Sequence, residues 1–364
     1  MNNSESAESA DVTLSASVVI VAYNGRNYLG QCLDSIFDQD FPRDRYEVIV
    51  VDNDSHDGSA EFIQQHYPAV HVIRLHKNYG PGEAIHRALT QVRGKYVAYI
   101  NQDCIAHRRW LAELVDVAAS HPQAGIVESN MILPQWPEYA GLRREAMIEH
   151  AYICDLTPLG VQDFSLMPVT ATTPPIQLLS AYGGGCILNP AIIEKLGYWF
   201  DPGFLAYFDD IDIGLRLNAA GYQVWLAPRS VVYHDTVWHF KLDKRSLRRM
   251  FLSTRNMFLV FYKLCYPSEY FALLPQLMLG KLLKAGQHSS SRAMRWVYAF
   301  AGIPLLATGF AAALLKIPAY RPLRKVTMSH RIMAQGWLVE RLRNNDWHPN
   351  PTVWNRPARV AEDG

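Results

Sequence analysis

Five runs of β-branched and aromatic residues recur at short intervals between Ser17 and residue 130: SVVIVAY, YEVIVVD, VHVIRL, KYVAYIN and AGIVES. The segments between them carry helical spacing instead, as in NYLGQCLDSIFDQ with Tyr28, Cys32, Ser35 and Ile36. Near-continuous apolar strands must be covered on both faces, and alternation of strand and helix supplies that cover through crossover connections. The pattern calls for an α/β domain with a mostly parallel sheet and helices on both faces. Ligands of such sheets sit beyond the carboxyl ends of the strands. Chemistry is therefore expected in the loops that follow strands: YNGRN, DNDSHDGS, HKNYGPG and NQDC.

Charge narrows the partners. A net charge of +1 and the lack of any long basic run argue against nucleic acid. Cys32, Cys104, Cys154, Cys186 and Cys265 show no CxxC spacing and read as reduced thiols of a cytosolic compartment. Residues 1–15 are polar and acidic, the opposite of a signal peptide, and are expected to be a flexible tail on the cytoplasmic side.

The rhythm breaks at residues 130–177, rich in Pro and aromatics around one helical stretch, GLRREAMIEHAYI. An excursion of this length is either an acceptor-side lid or a surface insertion. Residues 296–315, WVYAFAGIPLLATGFAAALL, carry no charge; Arg295 precedes them, and Lys316, Arg321, Arg324 and Lys325 follow. About 20 apolar residues span a bilayer core, so this is a spanning helix or, with Pro304, a kinked helix in the interface. Upstream, NMFLVFYKLCYPSEYFALLPQLMLGKLL is interrupted by Lys263, Glu269 and Lys281. It reads as an interfacial helical hairpin, with a buried helix pair as the alternative.

Several strand-end loops hold groups that bind or react. Asp52, Asn53 and Asp54 offer acceptors and an amide to a base or ribose, although Asp54 or Ser55 taken alone is a helix cap. Asp103 ends the next strand with a carboxylate of the kind that holds Mg²⁺ against phosphates. Gly183, Gly184 and Gly185 permit close approach of backbone to ligand. No GK[ST] follows them and no GxGxxG follows the first strand, which disfavours P-loop and dinucleotide folds. In AYFDDIDIGLRL, helical spacing puts Phe208, Ile211 and Leu215 on one inward stripe and Asp209, Asp212 and Arg216 on a face suited to ion pairs. Asp210 is left at the helix start, where a carboxylate is either a favourable end charge or a general base. His234 ends a strand-like run and is a metal ligand if Asp103 lies near it.

Taken in order, these pieces resemble a family-2 inverting glycosyltransferase of the GT-A fold, over residues 17–260. The motifs are Tyr23-Asn24 after the first strand, VVDNDSHDGS at 50–59, Asn78-Tyr79-Gly80, Asn101-Gln102-Asp103 at the D-x-D position, and Gly184 to His234 for the pattern ending in the YFEDxDxxxR motif and His. The closest flavour is the rhamnosyltransferase-like branch, which STRNMFLVFYK also resembles. The resemblance implies that Tyr23, Asn24, Asp52, Asn53, Asn78, Gly80, Asn101, Gly184 and Gly185 line the nucleotide-sugar site. It implies that Asp103 and His234 hold Mg²⁺ or Mn²⁺, and that Asp210, with Asp209 as the second candidate, is the catalytic base. It implies a TDP- or UDP-linked donor and a glycan or polyprenyl-linked acceptor in bacterial cell-surface polysaccharide synthesis. Membrane contact at the cytoplasmic face of the inner membrane is implied as well.

Two departures stand out: Asn101 replaces the first Asp of D-x-D, and Asp209 replaces Glu. The Q-x-x-R-W motif of processive synthases is absent. A reading from another class, a catalytically weak nucleotide-sugar-binding scaffold at the membrane, draws on Asn101. The expected division is a tail at 1–15, a GT-A domain at 16–240 with the 130–177 insertion, an apolar helical membrane-associated region at 241–335, and a polar tail at 336–364.

Overall fold

The computed structural model describes residues 14–134, 147–234, 244–286 and 292–344. Strands β1 (Ala16–Ala22), β2 (Tyr46–Asp52), β3 (His71–Arg74) and β4 (Tyr96–Asn101) pair in the order β3-β2-β1-β4, all parallel. Helices α1 (Arg26–Phe37), α2 (Ser59–His66) and α3 (Pro81–Ala88) cover them. Every residue of β1 is buried, as its unbroken apolar run requires.

Beyond β4 the sheet departs from the mostly parallel expectation. It continues through β5 (Cys104–Ala106), β6 (Ala124–Ile132), β9 (Ile176–Leu178), β10 (Gly185–Leu188) and β11 (Gln223–His234). Strand β10 inserts between β4 and β6, antiparallel to both, and β5 and β9 lie antiparallel along β11. Only β6 and β11 are parallel in this half. Helix α4 (Trp110–Ser120) and the short helix α5 (Pro190–Ile193) accompany it.

The excursion at 130–177 is largely a two-stranded antiparallel hairpin, β7 (His150–Leu156) with β8 (Gln162–Pro168). Of the helix expected over GLRREAMIEHAYI, residues 141–146 lie outside the described residues, Met147 is helical, and residues 150–153 belong instead to β7. Buried Asp155 explains the seat of the hairpin, accepting hydrogen bonds from the backbone N–H groups of Leu179 and Ser180 and from Ser180 Oγ.

A second hydrophobic core follows. Helix α6 (Asp209–Ala219) contributes Ile211, Leu215 and Ala219, and α7 (Lys244–Leu264) contributes Met257 to Phe261. From α8 (Pro267–Gly286) come Leu273 and Leu277. The segment expected as an interfacial hairpin thus turns its inward face to a protein core. Two of its interrupting charges are internally paired: Lys263 with Asp201 and Asp212, and Glu269 with Arg331. Along the long helix α9 (Arg292–His330), Leu306, Ala313, Tyr320 and Thr327 are buried at seven-residue intervals, one seam against this core. Leu315 on the same helix is 84% exposed, and the apolar stretch Gly302–His330 is long enough to cross a membrane while mostly unburied. Pro304 lies within the helix without ending it. The expected C-terminal tail opens instead with helix α10 (Trp337–Asn344), which buries Leu338 and Leu342. Of the expected tails, residues 1–13 and 345–364 lie outside the described residues.

Candidate active site

Strand register assembles one edge. Ala22 of β1 lies opposite Asp52 of β2, and Val21 opposite Asn101 of β4. Antiparallel β10 enters at Gly185, opposite Ile100, and β11 ends at His234, opposite Cys104. Asp52, Asn101, Asp103, Gly184 and His234 therefore meet at the sheet end where a ligand of an α/β domain is expected.

The first two loops are locked to each other. Asn24, at φ +50°, accepts from the His56 N–H and donates its own N–H to Ser55 Oγ. Asp52 is buried and accepts from the Ser55 N–H at 3.1 Å. Asn53 is 2% exposed; its Nδ2 donates to Asn78 Oδ1 and the Gly80 carbonyl, and its Oδ1 accepts from the Tyr79 N–H. Asn78 Oδ1 also accepts from the Gly80 N–H. The side chains of Asn53 and Asn78 thus tie loop to loop. Asp52 and the half-exposed ring of Tyr23 remain at the rim of the edge.

Each member of Asn101-Gln102-Asp103 has a separate task. Asn101 Oδ1 accepts from the Tyr99 hydroxyl at 2.5 Å, and its backbone N–H donates to the Gly184 carbonyl. Gln102 grips the backbone of Tyr23 from both sides, Oε1 accepting from N–H at 2.9 Å and Nε2 donating to the carbonyl at 3.2 Å. Asp103 is partly exposed, and its Oδ1 lies 3.2 Å from His234 Nε2. Ligand atoms of Asp103, Cys104 and His234 all lie within 4.8 Å of one another. Cys104 is buried and donates its thiol to the Gly184 carbonyl, which makes it structural. One carboxylate and one imidazole then converge at a partly open rim, a donor set that suits a hard divalent cation whose remaining ligands are phosphate oxygens and water.

Gly183 and Gly184 bridge this pair and the aspartates of α6. Their φ values of +61° and +101° belong to backbone that L side chains rarely adopt. Helix α6 comes close because Gly214 lacks a side chain; a Cβ there would meet the Ala181 nitrogen at 2.4 Å. As a result Asp210 Oδ2 lies 3.6 Å from where a Gly183 Cβ would be. Asp209 and Asp210 are half-buried at the first turn of the helix. Burial, with the charges of Asp212 and Asp201 adding, raises the Asp209 carboxyl to about 6. Burial followed by the Asp209 charge raises Asp210 well above the ordinary carboxylate range. Asp212 does not share that exposure: fully buried, it forms ion pairs with Arg216 at 2.9 Å and Lys263 at 2.7 Å.

Sequence reasoning passed over Glu128 and Asn256. Glu128 lies on β6, 1% exposed, with Oε1 accepting from the Tyr182 and Gly183 N–H groups at 3.2 and 3.4 Å. Burial pushes it up to about 8. A carboxyl inside the buried strand AGIVESNMI was the available signal. Asn256 of α7 donates Nδ2 to the carbonyls of Ala206 and Tyr207, just ahead of Asp209.

Comparison with known proteins agrees with this architecture. Residues 17–149 match the family model described as Glycosyl transferase family 2. Glycosyltransferase AglE of Haloferax volcanii is 33% identical over 98 residues, 26% of this chain and 32% of that protein. The N-acetylglucosaminyl-diphospho-decaprenol L-rhamnosyltransferase of Mycobacterium tuberculosis is 25% identical over 205 residues, 51% of this chain and 66% of that protein. The crystal structure of GalNAc-T7 with UDP, GalNAc and Mn²⁺ superposes with a TM-score of 0.61 at 16% identity, covering 92% of this chain and 58% of that one. At such identity the likeness speaks for the fold. The chain spans about a third of the length of the first curated relatives it matches. With its mixed sheet, its strand-end motifs and this match, the chain has the GT-A fold, and its residues 17–149 are similar to glycosyl transferase family 2.

Proposed function

We propose that the chain is an inverting, divalent-metal-dependent glycosyltransferase. It moves rhamnose or a similar sugar from a TDP- or UDP-linked donor to a glycan or polyprenyl-linked acceptor in bacterial cell-surface polysaccharide synthesis. The observation that carries this reading is the convergence of the Asp103–His234 pair and the Asp209–Asp210 pair on either side of Gly183 and Gly184. The Mycobacterium rhamnosyltransferase and the Mn²⁺- and UDP-bound GalNAc-T7 support the choice of acceptor class and of metal.

In this mechanism the donor's base and ribose lie over Asp52 and Tyr23, and its diphosphate lies at Asp103 and His234. Mg²⁺ or Mn²⁺ bound by those two residues would supply Lewis-acid stabilisation of the departing diphosphate. Asp210 accepts the proton of the acceptor hydroxyl as that oxygen attacks the anomeric carbon. The bond from that carbon to the diphosphate oxygen breaks with inversion, and the nucleoside diphosphate leaves. A carboxylate raised by burial is a stronger proton acceptor than an ordinary one. Asp209 holds the second position beside it and raises its basicity by repulsion. Asn101 has a structural task in this scheme, so its presence gives no support to a scaffold without activity.

The apolar face of α9 supports contact with the cytoplasmic leaflet. Residues 292–330 include Arg292, Arg295, Lys316, Arg321, Arg324 and Lys325 and no acidic residue, a composition that favours anionic lipid.

Thermal unfolding with TDP, UDP or GDP, each with Mn²⁺ and with EDTA, tests the reading. A ligand at 100 times its dissociation constant adds roughly 2.7 kcal/mol. A rise for one nucleotide that disappears with EDTA is expected. Well-folded protein that responds to none of them would overturn the proposal.

A further inference from the structure

Helix α9 meets the chain just ahead of the aspartate pair. On its inward seam Tyr320 is 4% exposed and donates its hydroxyl to Asp201 Oδ1 at 3.1 Å. The Tyr320 ring also stacks on that of Phe204, with centroids 6.2 Å apart. Asp201 opens the turn Asp201-Pro202-Gly203-Phe204, which the Phe204 N–H closes on the Asp201 carbonyl at 3.0 Å. Its buried carboxylate is held from three directions: by the Gly203 N–H at 2.9 Å, by the Tyr320 hydroxyl and by Lys263 Nζ. A Cβ on Gly203 would collide with the Tyr320 hydroxyl, so the glycine is what lets α9 close on the turn. From α7, Arg255 Nη2 donates to the Gly203 carbonyl at 3.2 Å.

Two routes join this turn to Asp209 and Asp210. Along the chain, residues 205–208 separate Phe204 from Asp209, and Asn256 holds the carbonyls of Ala206 and Tyr207 within that span. Through space, Lys263 pairs with Asp201 and, at 2.7 Å, with Asp212, which stands three residues after Asp209 on α6. Breaking one side of a buried charge pair leaves the other charge uncompensated, so its members hold their places together. A displacement of Asp201 therefore reaches the start of α6 by both routes. The Asp201 charge is also among those that raise the Asp209 carboxyl. A base tolerates little displacement, since misplacement by about 1 Å costs on the order of 100-fold in rate.

We propose that Tyr320 is a positioning residue for sugar transfer: from α9, through Asp201 and Lys263, it fixes the place of the Asp209–Asp210 pair beside Gly183 and Gly184. The inference rests on the glycosyltransferase reading above. It gives α9 a part in the reaction that is separate from any contact with lipid.

Turnover is read in the full chain as nucleoside diphosphate released from TDP-rhamnose or UDP-glucose with Mn²⁺. Amide hydrogen exchange over residues 201–212, followed by mass spectrometry, reads the turn and the helix start without reference to activity. Tyr320→Phe, which keeps the ring, is expected to lower kcat about ten-fold, with donor KM and nucleotide affinity within about two-fold of the parent. The same variant should speed exchange over 201–212. Tyr46→Phe removes a buried tyrosine hydroxyl from the Ile36 carbonyl at 2.8 Å in the sheet domain, and so controls for loss of stability. It should leave kcat and that exchange at the parent level. Gly203→Ala presses on the same contact from the turn; it should lower kcat in the parent and have little further effect in Tyr320→Phe. Unchanged kcat or unchanged exchange in Tyr320→Phe, an equal loss of kcat in Tyr46→Phe, or additive effects of Gly203→Ala and Tyr320→Phe would each overturn the positioning role. A parent chain that releases nucleotide from neither donor would strike the glycosyltransferase reading instead, while the exchange comparison still decides whether Tyr320 holds the turn and the helix start.

Discussion

Asn256 holds Tyr207 in a left-handed conformation. Its Nδ2 donates to the Tyr207 carbonyl at 2.8 Å and to that of Ala206 at 3.0 Å, while Tyr207 and Phe208 sit at φ +70° and +68°. Two consecutive non-glycine residues in that region cost of order 1–3 kcal/mol each. The helix bearing Asp209 and Asp210 starts from this strained turn. Asn256→Ala is expected to lower turnover at least ten-fold and stability by about 1–3 kcal/mol, with nucleotide affinity within two-fold of the parent. Steady-state kinetics beside urea unfolding checks this; unchanged turnover would remove the turn from the mechanism.

Removing Lys263 should be more damaging to the fold. Lys263→Met strands Asp201 and Asp212 without their shared cation, at a cost of about 3–5 kcal/mol. Combining it with Asp212→Asn should recover part of that loss. Chemical denaturation of the single and double variants measures the recovery, and full additivity would contradict the pairing.

The pH profile reports on the aspartate pair. A base must be ionised to act, so turnover should fall on acidification at a pH above that of an ordinary carboxylate. Asp209→Asn removes the neighbouring negative charge, eases ionisation of Asp210 and moves the acid limb to lower pH. Asp210→Asn should lower kcat by at least a thousand-fold and leave nucleotide binding in place. If Asp209→Asn shows that loss and Asp210→Asn does not, the two roles are exchanged.

Glu128 gives a stability signature. Its folded pKa of about 8 lies above the ordinary value of 4.5, so folding takes up a proton between those limits. The associated stability is complete below about pH 4.5 and is lost as pH rises through 8, by at most about 1.4 kcal/mol per pH unit. Glu128→Gln, which keeps an acceptor for the Tyr182 and Gly183 N–H groups, should flatten that slope and be the more stable form at pH 9. Melting temperatures from pH 5 to 9 decide; parallel curves would rule out the protonated carboxyl.

Metal dependence should map to one carboxylate. Asp103→Ala is expected to weaken nucleotide binding about ten-fold or more in Mn²⁺ and to leave binding in EDTA unaltered. His234→Ala should act in the same direction with smaller size. Equal affinities with Mn²⁺ and EDTA in the parent would exclude the proposed ligands.

The outer face of α9 makes a separate prediction. Leu314→Glu with Leu315→Glu should reduce sedimentation with vesicles containing anionic lipid and leave the melting temperature unchanged, because both positions are exposed. Undiminished binding would move the contact elsewhere.

Strands β1 to β4 and the helix at Asp209 were legible because local pattern determines them: unbroken β-branched runs must be buried, and apolar spacing of 3.6 makes a helix. The family motifs likewise point to a common sheet edge, since a parallel strand ends where its ligand begins. Which side chains at that edge are tied to one another was decided only by tertiary contacts. Asn53 and Asn101 look alike as ligands in one dimension, yet the Asn53 amide is taken up by Asn78 and Gly80 of a distant loop, while Asn101 Oδ1 accepts from the Tyr99 hydroxyl of its own strand. The antiparallel insertion of β10, the pairing of β7 with β8 and the buried pairing of Lys263 were not legible in local pattern, because each depends on which other segment the chain meets. Sequence alone determined the strands and the helix of aspartates; the tertiary structure decided which polar groups at the sheet edge are tied to other parts of the chain, because a polar group's role depends on whether another group has already satisfied it.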